Sequence, residues 1–108
     1  MARYTFVVLT QPVEGQEDEY NDWYTNTHIP DMLAGPGFVS ARRYRRVNET
    51  VTPSLLPAYL AIYELESDDL AEPLAARRER RARGLTSPTS DALATDPPAV
   101  MTTYELLE

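Results

Sequence analysis

The segment from Glu19 to Tyr44 constrains the fold most, because a helix pattern, a sharp turn and a strand pattern follow one another within it. Aromatic side chains recur before the turn at three- and four-residue spacing, which predicts a helix with one aromatic face. The members of this face are Tyr20, Trp23 and Tyr24, followed by Thr27. Gly35-Pro36-Gly37 marks the turn, and a strand-like alternation begins at Phe38. We therefore expect the aromatic face to pack on a sheet.

Strand and helix patterns also alternate along the rest of the chain. Runs rich in β-branched and aromatic residues predict four strands. These are Arg3–Thr10, Phe38–Val47, Ala58–Leu65 and Val100–Leu107. Acidic residues in a first turn and helical periodicity predict two helices. These run from Glu14 to about Thr27 and from Asp68 to Arg83.

Local signals predict where the helices end. Ile29 precedes a proline and is therefore biased away from helical backbone angles, which predicts a break or kink near it, with Met32 and Leu33 adding a short turn. Ser67 is the predicted N-cap of the second helix and Gly84 its C-terminal stop.

The element order β-α-β-β-α-β predicts one α+β domain over residues 1–108 with the ferredoxin-like arrangement, an antiparallel sheet with two helices on one face. Two segments are predicted to be loops, Asn48–Pro57 and Leu85–Pro98, and the second is a candidate lid. The sheet face away from the helices carries tyrosine and leucine side chains. Apolar surface of that kind predicts a homodimer.

The composition argues against several classes of function. There is no cysteine, which removes disulfides and thiolate chemistry, and all ten basic residues are arginine, which removes lysine Schiff bases. A net charge of -7 argues against nucleic acid and anionic membranes as partners. No apolar run reaches the roughly 20 residues of a membrane span, and the N-terminal segment lacks the features of a secretory signal, so a cytoplasmic location is the default prediction.

The segment EYNDWYTNTHIPDMLAGPGFVSARRY, together with the element order, resembles the EthD-like members of the dimeric α/β-barrel superfamily. The shared features are an aromatic pair after acidic residues, a following H-xx-D motif, and a Pro-Gly-Phe turn into a strand with arginine and tyrosine. The resemblance implies a dimer of sheets packed face to face, with a small-molecule pocket between each sheet and its own helices. It also implies a range of activities, from cofactor-free monooxygenases, decarboxylases, cyclases and isomerases to haem enzymes.

His28, the single histidine, is the predicted catalytic base, because an imidazole exchanges protons near neutral pH. Asp31 lies three residues later and is predicted to orient the ring or to raise its pKa, and Tyr24 is a candidate proton donor to an oxyanion. The structural alternative is that His28 caps the end of the helix and hydrogen-bonds a carbonyl group. Haem ligation by His28 is a further alternative, whereas no spacing of residues predicts a metal site.

Seven residues are candidates for substrate binding: Tyr20, Trp23, Phe38, Arg42, Tyr44, Tyr63 and Tyr104. The aromatic residues of the first helix also fit a purely structural role in the core. For the second strand, two orientations stay open. Either the face with Arg42 and Tyr44 points toward the helices, or the face with Arg43 and Arg45 does.

The sequence therefore predicts a small enzyme that needs no cofactor and uses His28 for proton transfer on an apolar aromatic or polyketide-like substrate. The reaction class is that of a lyase, decarboxylase, cyclase or isomerase. The alternatives are a cofactor-free monooxygenase, a haem protein, and a non-catalytic accessory protein that binds a hydrophobic ligand.

Overall fold

The computed structural model describes residues 2–47 and 56–107. The strands are β1 (Ala2–Thr10), β2 (Phe38–Arg45), β3 (Tyr59–Ser67) and β4 (Val100–Glu105). The helical segments are α1 (Glu17–Trp23), a π-helical turn (Tyr24–His28), α2 (Ile29–Leu33) and α3 (Ala71–Ala82). The predicted element order is confirmed. The predicted loop Asn48–Pro57 lies outside the described residues except for its last two positions.

The four strands form one antiparallel sheet in the order β2-β3-β1-β4. Alternate residues of the central strand β3 face the helices and are buried, because side chains of a strand point to opposite faces in turn. They are Tyr59, Ala61, Tyr63 and Leu65. The predicted ferredoxin-like α+β fold, with both helical layers on one sheet face, is therefore confirmed.

The helix is not broken at Ile29, and the predicted break or kink takes the form of a π-helical irregularity instead. Ile29 has helical backbone angles, and its N–H donates to the carbonyl of Tyr24, five residues back, as in a π-helix. The turn Tyr24–His28 ends one α-helix and starts the next, so that Pro30 falls in the first turn of α2. A proline is tolerated there because a first-turn N–H has no partner within the helix. The chain therefore remains helical from Glu17 to Leu33.

The start of α3 lies three residues later than predicted, and Ser67 is not its N-cap. The Ser67 hydroxyl instead accepts the N–H of Asp69 (3.1 Å) and donates to the Asp69 carbonyl (2.8 Å), closing a local turn. The Asp69 carboxylate then accepts the N–H of Ala71 at 3.1 Å, at the beginning of the helix. Gly84 ends the helix as predicted, with a φ of +71° that favours glycine.

A bulge at Val39 decides which face of β2 points toward the helices. Phe38 pairs with Leu65, but Ser40 already pairs with Glu64, so one residue of β2 has no partner. An inserted residue reverses the alternation that follows it. Beyond the bulge, Ala41 and Arg43 therefore share the helix side with Phe38, whereas the sequence pattern had placed Phe38 on the face of Arg42 and Tyr44.

The segment after α3 is tied to the end of β1. Val13 N–H donates to the Ala92 carbonyl and Ala94 N–H donates to the Gln11 carbonyl, both at 2.7 Å. Ala92 is completely buried. The middle of the predicted lid segment Leu85–Pro98 is therefore part of the packed structure. Among the helices of the described residues, none combines the length and apolar character needed to cross a bilayer.

Gly37 tests how the turn before β2 is packed. Its φ is +85°, and a Cβ at this position would lie 2.8 Å from the Cβ of Pro73 on α3. Gly15 has a similar φ of +81°, but a Cβ there would meet no atom within 4 Å, so Gly15→Ala isolates the backbone cost of about 1–2 kcal/mol. We expect Gly37→Ala to lower the free energy of unfolding in urea by at least ~1 kcal/mol more than Gly15→Ala. Equal losses in the two variants would contradict this account of the turn.

Candidate functional site

A cavity of about 230 Å³ lies between the helix side of the sheet, the helical segment Glu17–Leu33, α3 and the segment after α3. Its wall is mostly apolar, which suits an organic guest. The apolar and hydroxyl side chains come from the sheet, α2 and the segment after α3: Phe6, Val8, Thr10, Met32, Thr89, Leu93, Ala99 and Met101. The remaining lining residues carry the chemistry, and they are Trp23, Tyr24, His28, Tyr63, Arg77 and Arg81.

The π-helical turn places His28 between two aromatic rings at the cavity wall. Its ring stacks on Trp23, with centroids 4.7 Å apart and planes at 20°, and meets Tyr24 edge-on at 5.0 Å. In a regular α-helix, residues five apart point about 140° away from each other, so Trp23 and His28 could not stack. The wider π turn brings them onto one face. The imidazole is therefore oriented by packing.

The structural alternative for His28 does not fit the geometry. The helix continues past His28 to Leu33, so the residue does not cap a helix end. Its ring nitrogens also make no hydrogen bond to any residue in the described part of the chain. The imidazole therefore lines the cavity with its nitrogens unengaged.

Burial lowers the pKa of His28 from 6.5 to about 4. The carboxylate of Asp31 opposes this shift, while the positive charges of Arg77, Arg81 and Arg43 add to it. The imidazole is therefore neutral at neutral pH, with a lone pair available to accept a proton.

Asp31 acts on His28 through its charge and not by orienting the ring. Its Oδ2 accepts the backbone N–H of Ser87 at 2.8 Å. This bond ties the segment after α3 to α2, beside the cavity. The carboxylate of Asp31 raises the pKa of His28, which is one of the two roles predicted for it, while the stacking on Trp23 orients the imidazole.

Tyr24 and Tyr63 bring phenolic groups to the cavity. Tyr24 is 2% exposed and Tyr63 is fully buried. Burial raises the pKa of both hydroxyls above the ordinary value of 10.0, and the neighbouring Tyr24 raises that of Tyr63 further. Both phenols are therefore protonated at neutral pH and can donate hydrogen bonds.

Two predicted substrate-binding residues belong to the core instead. The Tyr20 hydroxyl hydrogen-bonds to Thr10 Oγ1, and its ring packs on Tyr24 and Tyr59 at centroid distances of 5.4 and 5.1 Å. Phe38 packs edge-on against Phe6 and Tyr63. Neither Tyr20 nor Phe38 lines the cavity, and both are buried in the core.

Three other predicted binding residues face away from the cavity. Arg42 and Tyr44 pair with Ile62 and Leu60 on the outer sheet face, because the bulge at Val39 reverses the pattern of β2. Tyr104 pairs with Thr5 on the same face and is 60% exposed. The structure thus places Arg42, Tyr44 and Tyr104 outside the helix-side cavity.

Arg43 takes the inward position on β2. Its Nη2 donates to Asn21 Oδ1 at 2.8 Å and its Nη1 to Thr25 Oγ1 at 3.2 Å, which joins the strand to the helical segment. The guanidinium carbon also lies 4.4 Å from the centroid of the Tyr24 ring, a cation–π contact. Arg43 therefore holds Tyr24 in place behind the cavity wall.

Sequence reasoning missed Arg77 and Arg81, which were not among the candidate site residues. Arg77 is partly buried, with its guanidinium carbon 5.2 Å from the centroid of the Phe6 ring. Arg81 Nη2 donates to Thr89 Oγ1 at 3.0 Å. The available signal was periodicity, because both arginines continue the three- and four-residue spacing of Leu70 and Leu74 toward the sheet.

The described residues contain no group of three His, Cys, Asp or Glu side chains arranged to hold a metal ion.

The low pKa of His28 predicts a pH-dependent stability. In the unfolded chain the imidazole takes up a proton near pH 6.5, whereas the folded protein does so only near pH 4, so stability falls as the pH drops from 6.5 to 4. Between pH 7.5 and 5.0 we expect His28 to account for a loss of about 2 kcal/mol in the free energy of unfolding. His28→Phe keeps an aromatic ring against Trp23 and removes the titration. Urea unfolding of both proteins should show the smaller pH dependence in the variant, and equal slopes would refute the burial of a neutral imidazole.

Comparison with known proteins supports the fold. No protein-family model matches the chain. The crystal structure of an EthD (ethyl tert-butyl ether D) family protein from Bacillus halodurans C-125 aligns with a TM-score of 0.64 at 20% identity, covering 99% of this chain and 100% of that one. The structure of a putative monooxygenase from Shewanella loihica PV-4 aligns with a TM-score of 0.64 at 14% identity, covering 100% and 98%.

One sequence relative is a fungal protein, the core atranone cluster (CAC) protein 1 of Stachybotrys chlorohalonatus strain IBT 40285. The two are 39% identical over 66 residues, which cover 59% of this chain and 26% of the fungal protein. The match therefore spans about a quarter of that relative. The structural alignments carry the conclusion that this chain has the α+β fold of an EthD family protein, as the segment Glu19–Tyr44 predicted.

Proposed function

We propose that the protein is a small enzyme, independent of any cofactor, in which His28 removes a proton from an apolar aromatic or polyketide-like substrate. The observation that carries the proposal is a neutral imidazole, held by Trp23, whose unengaged nitrogens line a mostly apolar cavity of about 230 Å³. An oriented, neutral base beside a mostly apolar cavity is an arrangement that suits general base catalysis.

The proposed step is enolate formation. A ring nitrogen of His28 takes a proton from a carbon next to a carbonyl group, and the electron pair of the broken C–H bond moves onto the carbonyl oxygen. The imidazolium then returns the proton to another atom of the same molecule, or to a leaving group. Isomerisation, cyclisation and elimination can all begin with this exchange, so the proposal commits to the proton transfer that they share. A decarboxylation shares only the enolate, which forms there when CO₂ leaves and not by loss of a proton from carbon.

The charges around His28 support a substrate that becomes negative. A base with a pKa of about 4 is weak, but Arg77, Arg81 and Arg43 contribute to lowering that value. A developing enolate beside these arginines offsets their positive charge and so raises the basicity of His28 in the complex. Likeness to a protein named for an atranone cluster also supports a role on a small organic molecule.

His28→Asn tests the base directly. The assay is hydrogen–deuterium exchange at the acidic carbon of aromatic ketones such as 2-tetralone, followed by ¹H NMR in D₂O. We expect exchange above the buffer rate with the wild type, and a loss of roughly 10²- to 10⁴-fold in the variant, because asparagine cannot accept the proton. The control is Arg78→Gln, an exposed position of α3 outside the cavity.

The pH profile of the same assay identifies the titrating group. For the wild type, kcat/KM should be flat from pH 6 to 8 and fall with acid toward the free-enzyme pKa of about 4, because protonated His28 is no longer a base. Exchange by His28→Asn at the wild-type rate would refute the proposal. Oxygen uptake during turnover would assign the enolate to oxygenation instead.

We also propose that the outer sheet face binds a second copy of the chain. Apolar side chains of three neighbouring strands meet there, since Leu60 pairs with both Leu9 and Tyr44, and Val7 pairs with Ile62. Tyr44 is 47% exposed. An apolar face of this kind on a sheet is favourably covered by an identical face across a two-fold axis.

A charge in this face should prevent the pairing. We expect sedimentation equilibrium to give twice the chain mass for the wild type and the single-chain mass for Leu60→Asp, because a carboxylate would be buried without a partner. Leu85→Asp is the control, because Leu85 is exposed beyond the end of α3. A wild type that stays at the single-chain mass at every concentration would contradict the homodimer.

A further inference from the structure

Three buried polar atoms in the described residues lack a hydrogen-bond partner: Trp23 Nε1, the Tyr63 hydroxyl and Arg77 Nε. All three side chains line the same cavity as His28. A buried donor without a hydrogen-bond partner destabilises the folded protein, and native proteins contain few of them. Their convergence on one cavity points to a partner that the cavity receives from outside.

The chemistry of these atoms defines that partner as an acceptor. An indole N–H and a guanidinium N–H can only donate. The phenol of Tyr63 stays protonated, because burial raises its pKa, and it can donate as well. A guest that satisfies all three groups must therefore present oxygen lone pairs.

The positive charges beside the cavity indicate that the acceptor group of the guest is negatively charged. Among the described residues, no carboxylate lies within 4 Å of a guanidinium nitrogen of Arg77 or Arg81. The carboxylate of Asp31, which raises the pKa of His28 by its charge, accepts the backbone N–H of Ser87 at 2.8 Å. Arg77 is partly buried against Phe6, where a charge without a counterion is costly. An anionic oxygen would remove that cost.

We propose that Trp23, Tyr63 and Arg77 form an oxyanion subsite that selects ligands with one ionised oxygen on an apolar ring system, a phenolate or an enolate. The proposal rests on the proposed function for the role of the cavity and adds the class of ligand. The apolar remainder of the ligand packs against Val8, Met32 and Leu93. Each of the three donor atoms exposes less than 1 Å² in the unliganded cavity, so binding includes small rotations of these side chains.

The subsite places the charge beside the base. Trp23 stacks on His28 at 4.7 Å and carries one of the three donors, so an oxygen held by its N–H lies next to the imidazole. Proton removal from a carbon adjacent to that oxygen would then develop negative charge beside these donors. Preorganised donors at such a position stabilise the transition state more than the ground state.

The probe is p-nitrophenol, compared with 4-nitroanisole, its methyl ether, which cannot ionise. Isothermal titration calorimetry near neutral pH should show that the wild type binds the phenolate about tenfold more tightly than the ether, as expected for charge-assisted hydrogen bonds. Absorbance of the bound phenolate should show its pKa lowered by about one unit. Arg77→Gln and Tyr63→Phe should each reduce the tenfold selectivity, and Arg77→Lys should restore only part of it, because lysine keeps the charge but loses the planar donors.

Arg78→Gln is the matched control, because it removes one charge from the exposed side of the same helix and should leave the selectivity intact. Equal affinity of the wild type for both probes, no binding of either probe, or unchanged selectivity in Arg77→Gln would overturn the subsite. Thermal unfolding of each variant verifies that it is folded.

The two proposals can fail separately. His28→Asn should keep the selectivity for p-nitrophenol, since His28 is not one of the donors. If His28→Asn retains proton exchange while selectivity depends on Arg77, only the catalytic base is wrong. If His28→Asn loses proton exchange while Arg77→Gln keeps the wild-type selectivity for p-nitrophenol, only the oxyanion subsite is wrong.

Discussion

The π-helical turn Tyr24–His28 is the constraint on which the site depends. The bond from Ile29 N–H to the Tyr24 carbonyl lets one extra residue into the helix, and rotates everything after it by roughly 100° relative to a continuous α-helix. As a result, the rings of Trp23 and Tyr24 both pack against the imidazole of His28. Without the extra residue, the imidazole and the indole would lie on different sides of the helix, and the cavity would lose either its base or the ring that orients it.

The surroundings of the turn are arranged to hold it rigidly. The Tyr20 hydroxyl hydrogen-bonds to Thr10 on β1. The guanidinium of Arg43 on β2 packs on the ring of Tyr24. The same guanidinium donates hydrogen bonds to Asn21 and Thr25 on the helical segment. These contacts join β1 and β2 to the helical segment behind the cavity. Rigid support of this kind keeps a functional side chain in a productive geometry.

The polar groups that line the cavity are not stabilised in this way. Trp23, Tyr63 and Arg77 contribute donors without partners, and the positive charges of α3 oppose protonation of His28. Such features lower the stability of the unliganded fold, because buried donors and cations are costly when unpaired. Their concentration at one place is typical of a site where stability is given up for function.

Much of the fold could be predicted from local patterns. The alternation in β3 and β1, the turn at Gly35-Pro36-Gly37 and the stop at Gly84 depend mainly on side-chain type and backbone angle, which neighbouring residues in the sequence reveal. The location of His28 close behind the aromatic residues of the helical segment follows from the same patterns. These parts of the site were therefore predictable, whereas the roles given to Tyr20 and Phe38 were not.

The sequence by itself determined the element order, the sheet with helices on one side, and the presence of a histidine among aromatic rings. Only the tertiary structure decided which side chains meet around that histidine. A single bulged residue, Val39, exchanged Arg42 for Arg43 on the inner face, and packing of α3 on the sheet brought Arg77 to Phe6. Both outcomes depend on contacts between distant segments, and a one-residue shift in register reverses a whole strand face without changing its local pattern.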